Sequence, residues 1–262
     1  MKIKFITTIM LLFMMALSTF AQTTFSADAS DMRNQATFES NAPLEDIVGT
    51  SNKLNIMVMI NTNDITKMPK AKIAVDLGSL KTGIALRDEH VRSANWLDTK
   101  KYPNATFMLK SITDATNKKL NDRKKVHAIA HGKFSVHGVT KDIDVPVELT
   151  YFKETAMTKA KMPGNLLKVK GKFRIKLGDY GIKIPAMVAE KLNDEIKVSV
   201  NFISSDAGGG MNPCNPCGPN KMMKNPCNPC GPQKMMKNPC NPCGPKKMMK
   251  KANPCNPCSP KK

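Results

Sequence analysis

Between Leu167 and Leu177 the chain alternates strictly. Leu167, Val169, Gly171, Phe173, Ile175 and Leu177 take turns with Lys168, Lys170, Lys172, Arg174 and Lys176. A period of two over this length describes an extended strand with one apolar and one charged face. The pattern returns at Ile143, Val145, Val147, Leu149 and Tyr151, set against Asp142, Asp144, Pro146, Glu148 and Thr150. It returns at Ile196, Val198, Val200 and Phe202, from Leu54 to Ile60, and at Ile73, Val75 and Leu77. Weaker alternation predicts strands over 34–41, 105–113 and 126–137. Strands of a parallel α/β sheet are apolar on both faces, so this one-sided set excludes that class. It predicts an all-β fold, a sandwich or a closed antiparallel barrel. The exception is Asp88–Asp98, which reads as one short helix with Asp88 as N-cap and with Val91, Trp96 and Leu97 facing inward across one end of the strands.

The two ends differ from this domain. Lys2 and Lys4 precede the apolar run Phe5–Leu17, and Thr19-Phe20-Ala21 has the small residues that a signal peptidase reads. Residues 1–21 are therefore expected to be a signal peptide, and the protein to be exported to a periplasmic or extracellular space. Residues 22–204 form the domain and 205–211 a Gly-rich linker. Residues 212–262 form a Cys-x-x-Cys repeat tail whose Asn-Pro and Gly-Pro steps oppose regular structure, so a disordered tail is expected. All eight cysteines lie there, as Cys214/Cys217, Cys227/Cys230, Cys240/Cys243 and Cys255/Cys258. Lys-Met-Met-Lys separates the pairs at 221–224, 234–237 and 247–250.

The run Asp76-Leu-Gly-Ser-Leu-Lys-Thr-Gly83 is followed by Arg87-Asp88-Glu-His90-Val-Arg-Ser93, Leu97-Asp98 and Tyr102-Pro103-Asn-Ala-Thr106-Phe107. Later come Gly132-Lys-Phe134, His137-Gly138-Val139-Thr140-Lys141 and Asp179-Tyr180-Gly181-Ile182. In order and spacing these pieces resemble the YceI-like lipid/polyisoprenoid-binding family across most of 25–203. The resemblance implies an eight-stranded antiparallel, lipocalin-like barrel, an apolar interior for an isoprenoid or other amphiphile, and export. The opening Phe25–Ser30 keeps only part of the family pattern, and the tail lies outside it.

An eight-stranded barrel is near the size at which side chains alone fill the inside, yet it can hold one small ligand. The small inward residues Ala128, Ala130, Gly132 and Gly171 leave room, while Phe107, Phe134 and Phe173 are large enough to fill it. The expected lipid contacts are Leu54, Ile56, Val58, Val75, Leu77, Phe107, Ala128, Ala130, Phe134, Val169, Gly171 and Phe173, with Trp96 from the helix. Arg87, His90 and Arg92 are headgroup candidates, or else helix-end ion pairs with Asp88 or Glu89.

Catalytic and metal chemistry find less support in the domain. His127, His131 and His137 share one strand face, but at about 3.3 Å per residue the first two stand about 13 Å apart, too far to share one ion. No nucleophile elbow, zinc-protease helix or phosphate loop is present, so the domain reads as non-enzymatic. The tail offers soft sulfur ligands. Two Cys-Asn-Pro-Cys units suit Zn²⁺, and thiolates with Met222/Met223 or Met235/Met236 suit Cu(I). Disulfide cross-linking competes with this, since an exported protein meets oxidising conditions, and redox exchange is a third reading, although no βαβ pattern surrounds the pairs. Of the +20 formal charge, the tail contributes ten lysines and no acid. Outside the cytoplasm such a charge suits an anionic membrane or cell-wall polymer rather than nucleic acid, and it equally suits a solvated, self-repelling tail. Two functions remain: a carrier for an isoprenoid-like lipid, and a structural or interaction protein whose filled barrel displays a cross-linking tail.

Overall fold

A computed structural model describes residues 22–208. The signal segment and the cysteine repeat lie outside the described residues. Ten strands form: β1 (Thr23–Ala27), β2 (Gln35–Asn41), β3 (Asp46–Ser51), β4 (Leu54–Ile60), β5 (Lys70–Asp76), β6 (Asn104–Thr113), β7 (Lys125–Val136), β8 (Val139–Phe152), β9 (Leu166–Lys176) and β10 (Glu195–Ser205). Every pairing between them is antiparallel. They make eight staves rather than ten. β1 and β2 lie end to end along β10, through Ser26↔Ser205 and Ala36↔Val200. β3 and β4 lie end to end along the same two partners, β2 and β1. The order then runs β4-β5-β6-β7-β8-β9-β10 and closes on β1, giving an eight-stranded antiparallel barrel.

Local chemistry explains the staves. In β7 burial alternates almost residue by residue, with Val126, Ala128, Ala130, Gly132, Phe134 and Val136 inward. β7 turns into β8 through two residues, His137 (φ 51°) and Gly138 (φ 79°). Two consecutive positive φ values are those of a type I′ turn, whose twist matches that of the strands it joins. β3 escapes the alternation reading because Gly49 sits on its inward side. The Phe38 ring of β2 lies over Gly49 in the place a side chain would take. Surface ion pairs such as the exposed Arg174–Glu195 (2.8 Å) and the half-buried Lys125–Glu148 (3.1 Å) run between neighbouring staves. Pairs of this kind add little stability but favour the observed register.

One seam is open. β8 pairs with β9 only from Val147↔Gly171 to Phe152↔Leu166. The ladder stops where Pro146, which has no N–H to donate, takes its place in β8. Beyond it Ile143, Phe173 and Ile175 are only partly buried.

Three expectations need correction. The helix is α1, Ala85–Arg92, with Ile84 as N-cap. Asp88 is inside the first turn, so the helix begins and ends earlier than the 88–98 reading. Residues 93–102 are a chain of turns, with Leu97 N–H donating to Val91 O (3.1 Å) and Tyr102 N–H to Asp98 O (2.8 Å). A second helix, α2 (Ala156–Lys161), lies between β8 and β9, opened by a Thr155/Thr158 capping box. Finally, β10 reaches Ser205, and the Asp206 carboxylate accepts from Asn165 N–H (2.8 Å) and Asn165 Nδ2 (2.7 Å). The first residues expected of the linker are therefore tied to the barrel.

Candidate functional site

The barrel has a closed end and a covered end. At the closed end Phe25, Ile60, Ile65, Leu120 and Leu167 are buried to 4% exposure or less and form a solid floor. Above this floor lies an apolar compartment of ≈ 110 Å³, lined among others by Val58, Ile60, Phe107, Ala130, Val169, Gly171, Phe173 and Phe202. A second compartment, of ≈ 160 Å³, lies under α1 and is lined by Leu80, Val91, Trp96, Leu97, Ile175, Leu177, Ile182 and Leu192. Ala36, Val75, Ala105, Phe134 and Val198 line both. This shared boundary is the waist between the two, and Phe134 is its one aromatic residue. The Phe134 ring meets Phe173 and Tyr180 edge-on, at 5.2 Å and 5.8 Å between centroids. Each compartment is about the size of an engineered apolar cavity of about 150 Å³ that stays dry and binds benzene.

No charged residue among those described lines either compartment, and the polar ones that do are Ser199 and Thr37. A hydrocarbon chain fits this chemistry, since each methylene removed from water is worth about 0.8 kcal/mol. A charged headgroup does not fit it, because an unpaired buried charge is far more costly. Any ligand headgroup must therefore stay at the rim.

The residues expected to touch lipid separate into two sets. Val58, Val75, Phe107, Ala130, Phe134, Val169, Gly171 and Phe173 line the lumen, and Trp96 lines the compartment under α1. Leu54, Ile56, Leu77 and Ala128 are buried core residues that line neither compartment. Leu77 opens a 3₁₀ turn (Leu77–Ser79) instead of ending β5. The two inward glycines also differ. A methyl group on Gly132 would come within 2.5 Å of both Met108 O and Phe107 Cζ, so the Phe107 ring already fills that space. At Gly171 the nearest atoms it would meet are Val145, Val200 and Val147 methyls, at 3.2–3.5 Å. The lumen thus holds both aromatic filling and open volume. Alternation alone does not reveal Ala36, Val75 and Ala105 as a shared waist, because that depends on how neighbouring strands are staggered.

The cover is pinned by polar contacts. The Asp88 carboxylate accepts from Thr82 N–H and Thr82 Oγ1, both at 2.7 Å. Thr82 Oγ1 in turn accepts from Arg87 Nε (3.0 Å), and Arg87 pairs with Glu45 in the β2–β3 turn. Arg92 donates to Leu80 O (3.3 Å), while His90 is exposed. Of the three headgroup candidates, Arg87 is therefore held by a hairpin carboxylate and Arg92 by a backbone carbonyl. The hydrogen bonds from Thr82 hold the Asp88 carboxyl below the ordinary carboxylate range. A depressed pKa means that these bonds are complete above the usual Asp pKa and are lost as pH falls through the lowered value. Asp88→Ala is accordingly expected to speed amide exchange of residues 82–92 at neutral pH without unfolding the barrel. The unaltered protein should show the same loosening only in acid, as hydrogen exchange followed by mass spectrometry would reveal.

The histidines take three separate roles. His131 Nε2 meets Thr113 Oγ1 (2.7 Å) and its Nδ1 meets Asp144 Oδ1 (2.5 Å) on the outer surface. His127 is exposed, and His137 occupies the β7–β8 turn rather than the strand, with Nδ1 3.1 Å from Tyr180 O. Among the described residues no group of three or more His, Cys, Asp or Glu is placed to hold a metal ion. The soft-metal ligands expected from the repeat, Cys214 with Cys217, Cys227 with Cys230, Cys240 with Cys243 and Cys255 with Cys258, all lie outside the described residues.

A curated relative from Pseudomonas putida strain F1, described as a UPF0312 protein, is 34% identical over 139 residues, 52% of this chain and 65% of the relative. Another, from Vibrio parahaemolyticus, is 37% identical over 79 residues, 30% of this chain and 38% of the relative. The chain thus spans about 65% of the length of the first of these relatives, and less of the second. Burkholderia cenocepacia BcnA has the same fold at 20% identity, with a TM-score of 0.52 over 68% of this chain and 100% of that one. A polyisoprenoid-binding domain from Saccharophagus degradans, implicated in plant cell wall breakdown, gives a TM-score of 0.52 at 18% identity over 71% and 99% of the two chains. The YceI-like domain itself matches residues 24–203, which run from the second residue of β1 to within two residues of the end of β10. The chain therefore belongs to the family of YceI-like domains.

Proposed function

We propose that this protein is an exported carrier that holds one isoprenoid-like or other amphiphilic chain along the barrel axis. The observation that carries the reading is the pair of apolar compartments meeting at Phe134, with a closed floor below and no charged lining. The hydrocarbon occupies the lumen, and its polar end stays at the α1 rim, near His90 and Arg92. The shared fold of the polyisoprenoid-binding domain from Saccharophagus degradans supports the ligand class. The apparatus is that of a binding protein, in which affinity comes from burial rather than from reacting groups. The leader at 1–21 supports export to a periplasmic or extracellular space. The Cys-x-x-Cys tail is an accessory part that binds a soft metal ion, Zn²⁺ or Cu(I), and its lysines favour an anionic membrane or cell-wall surface.

Native mass spectrometry and solvent extraction of the full protein purified from its own cells test this directly. One equivalent of a long apolar lipid is expected, with metal and free thiols found in the same preparation. A protein that is always empty and binds no apolar fluorophore would favour the filled-barrel alternative, for which the Phe107 ring over Gly132 speaks. A metal-free, fully oxidised tail would reduce the repeat to a cross-linking element.

A further inference from the structure

The outer wall of the barrel carries a pattern that needs the tertiary register to become visible. Met57 of β4 stands opposite Lys72 of β5, Lys72 opposite Met108 of β6, and Met108 opposite Lys133 of β7. Methionine and lysine therefore alternate across four adjacent strands. One step along, Met59 stands opposite Lys70. All these side chains point outward, because their neighbours Ile56, Val58, Ile73, Phe107 and Phe134 line or pack the interior. Met108 is 53% exposed, and Met68, just before β5, is 71% exposed. Among the described residues Lys70 and Lys72 have no ion-pair partner. At the far edge of the wall Asp142 stands opposite Lys133 and takes Lys110 at 2.5 Å.

We propose that this β4–β7 wall is a docking face for an anionic lipid bilayer. The lysines supply the attraction to phosphate headgroups, and the flexible thioethers enter the acyl boundary beneath them. Both kinds of group are needed for that assignment. An anionic polymer satisfies the lysines but leaves the methionines in water. A second copy of the chain, or its own tail, brings like charge to the same face. The start of the tail supports the choice. Ser26 Oγ donates to Gly208 O (2.9 Å), and Ser26 lies next to Met57 in the β1–β4 ladder. The chain therefore leaves the barrel at the edge of the wall, and it continues into a sequence that repeats Lys-Met-Met-Lys. The inference does not depend on what the lumen holds.

Methionine oxidation footprinting of the full chain tests the face separately from the tail. Exposed thioethers are oxidised to sulfoxides by dilute peroxide, and each site is read by peptide mass spectrometry. With vesicles of phosphatidylglycerol and phosphatidylethanolamine, oxidation of Met57, Met59, Met68 and Met108 is expected to fall severalfold. Met157 and Met187, which are 78% and 89% exposed on other elements, should react as before. The double variant Lys70→Glu, Lys72→Glu should keep its circular dichroism and lose the protection. Unprotected wall methionines while the protein still sediments with vesicles would overturn the proposal, since the tail alone would then be binding. Equal protection by soluble polyglutamate would overturn the assignment to a bilayer.

Discussion

Gly132→Ala is expected to cost the barrel about 3 kcal/mol or more, at or beyond the upper end of ordinary overpacking. The added methyl would meet a backbone carbonyl, Met108 O, and the Phe107 ring, each at 2.5 Å. A flexible side-chain tip can move aside cheaply, but a carbonyl on a neighbouring strand moves only with its ladder. Phe107 itself packs into the lumen wall beside Phe134, to which it is register-paired. Gly171→Ala is the contrasting case. The three atoms nearest its methyl are valine methyls at 3.2–3.5 Å, and Gly171 lines the open lumen. The change there is expected to stay within about 1 kcal/mol, because slight crowding and the reduced unfolded-chain entropy roughly offset. Urea unfolding of the two variants, followed by tryptophan fluorescence, makes the comparison. Equal midpoints would mean that Phe107 does not occupy the space over Gly132.

The second large effect concerns the waist. Ala105 is 8% exposed and lines both compartments, so Ala105→Phe places a ring where a chain spanning the two would have to pass. A ligand short enough for one compartment should bind nearly as before. A long polyprenol should be confined to one compartment. If about five methylenes lose their burial, the loss is roughly 4 kcal/mol, or nearly a thousandfold in affinity. Displacement of an apolar fluorophore by a short and a long prenyl alcohol measures the ratio. Similar losses for both ligands, or none for either, would show that one chain does not span the two compartments.

Much of this architecture is legible in the chain because barrel strands are one-sided. β8, β9 and β10 each announce themselves by a period of two, β7 more weakly, and most of the lumen contacts follow from which parity is apolar. Elements whose inward residues lack side chains or carry polar ones are not legible in that way. β3 hides its inward position behind Gly49, and β1 is only five residues long. The start of α1 is misleading in the sequence because Asp88 resembles an N-cap. In the folded chain its carboxylate instead reaches back to Thr82, which precedes the helix. The eight cysteines from Cys214 to Cys258 are legible as four pairs by spacing alone, and their chemistry depends on oxidation state, which spacing does not encode.

The amino-acid order by itself determined the class of fold, the inward faces of β7, β8, β9 and β10 and the division between a cysteine-free stretch and a thiol-rich repeat. Alternation is a local property, set by the two-residue repeat of an extended backbone. Only the tertiary structure decided where the lumen narrows, that Phe107 fills the side of Gly132, that the seam opens past Pro146, and that methionine and lysine from four strands share one outer wall. Each of these depends on the stagger between strands distant in the chain, and a single strand carries no record of its neighbours' stagger.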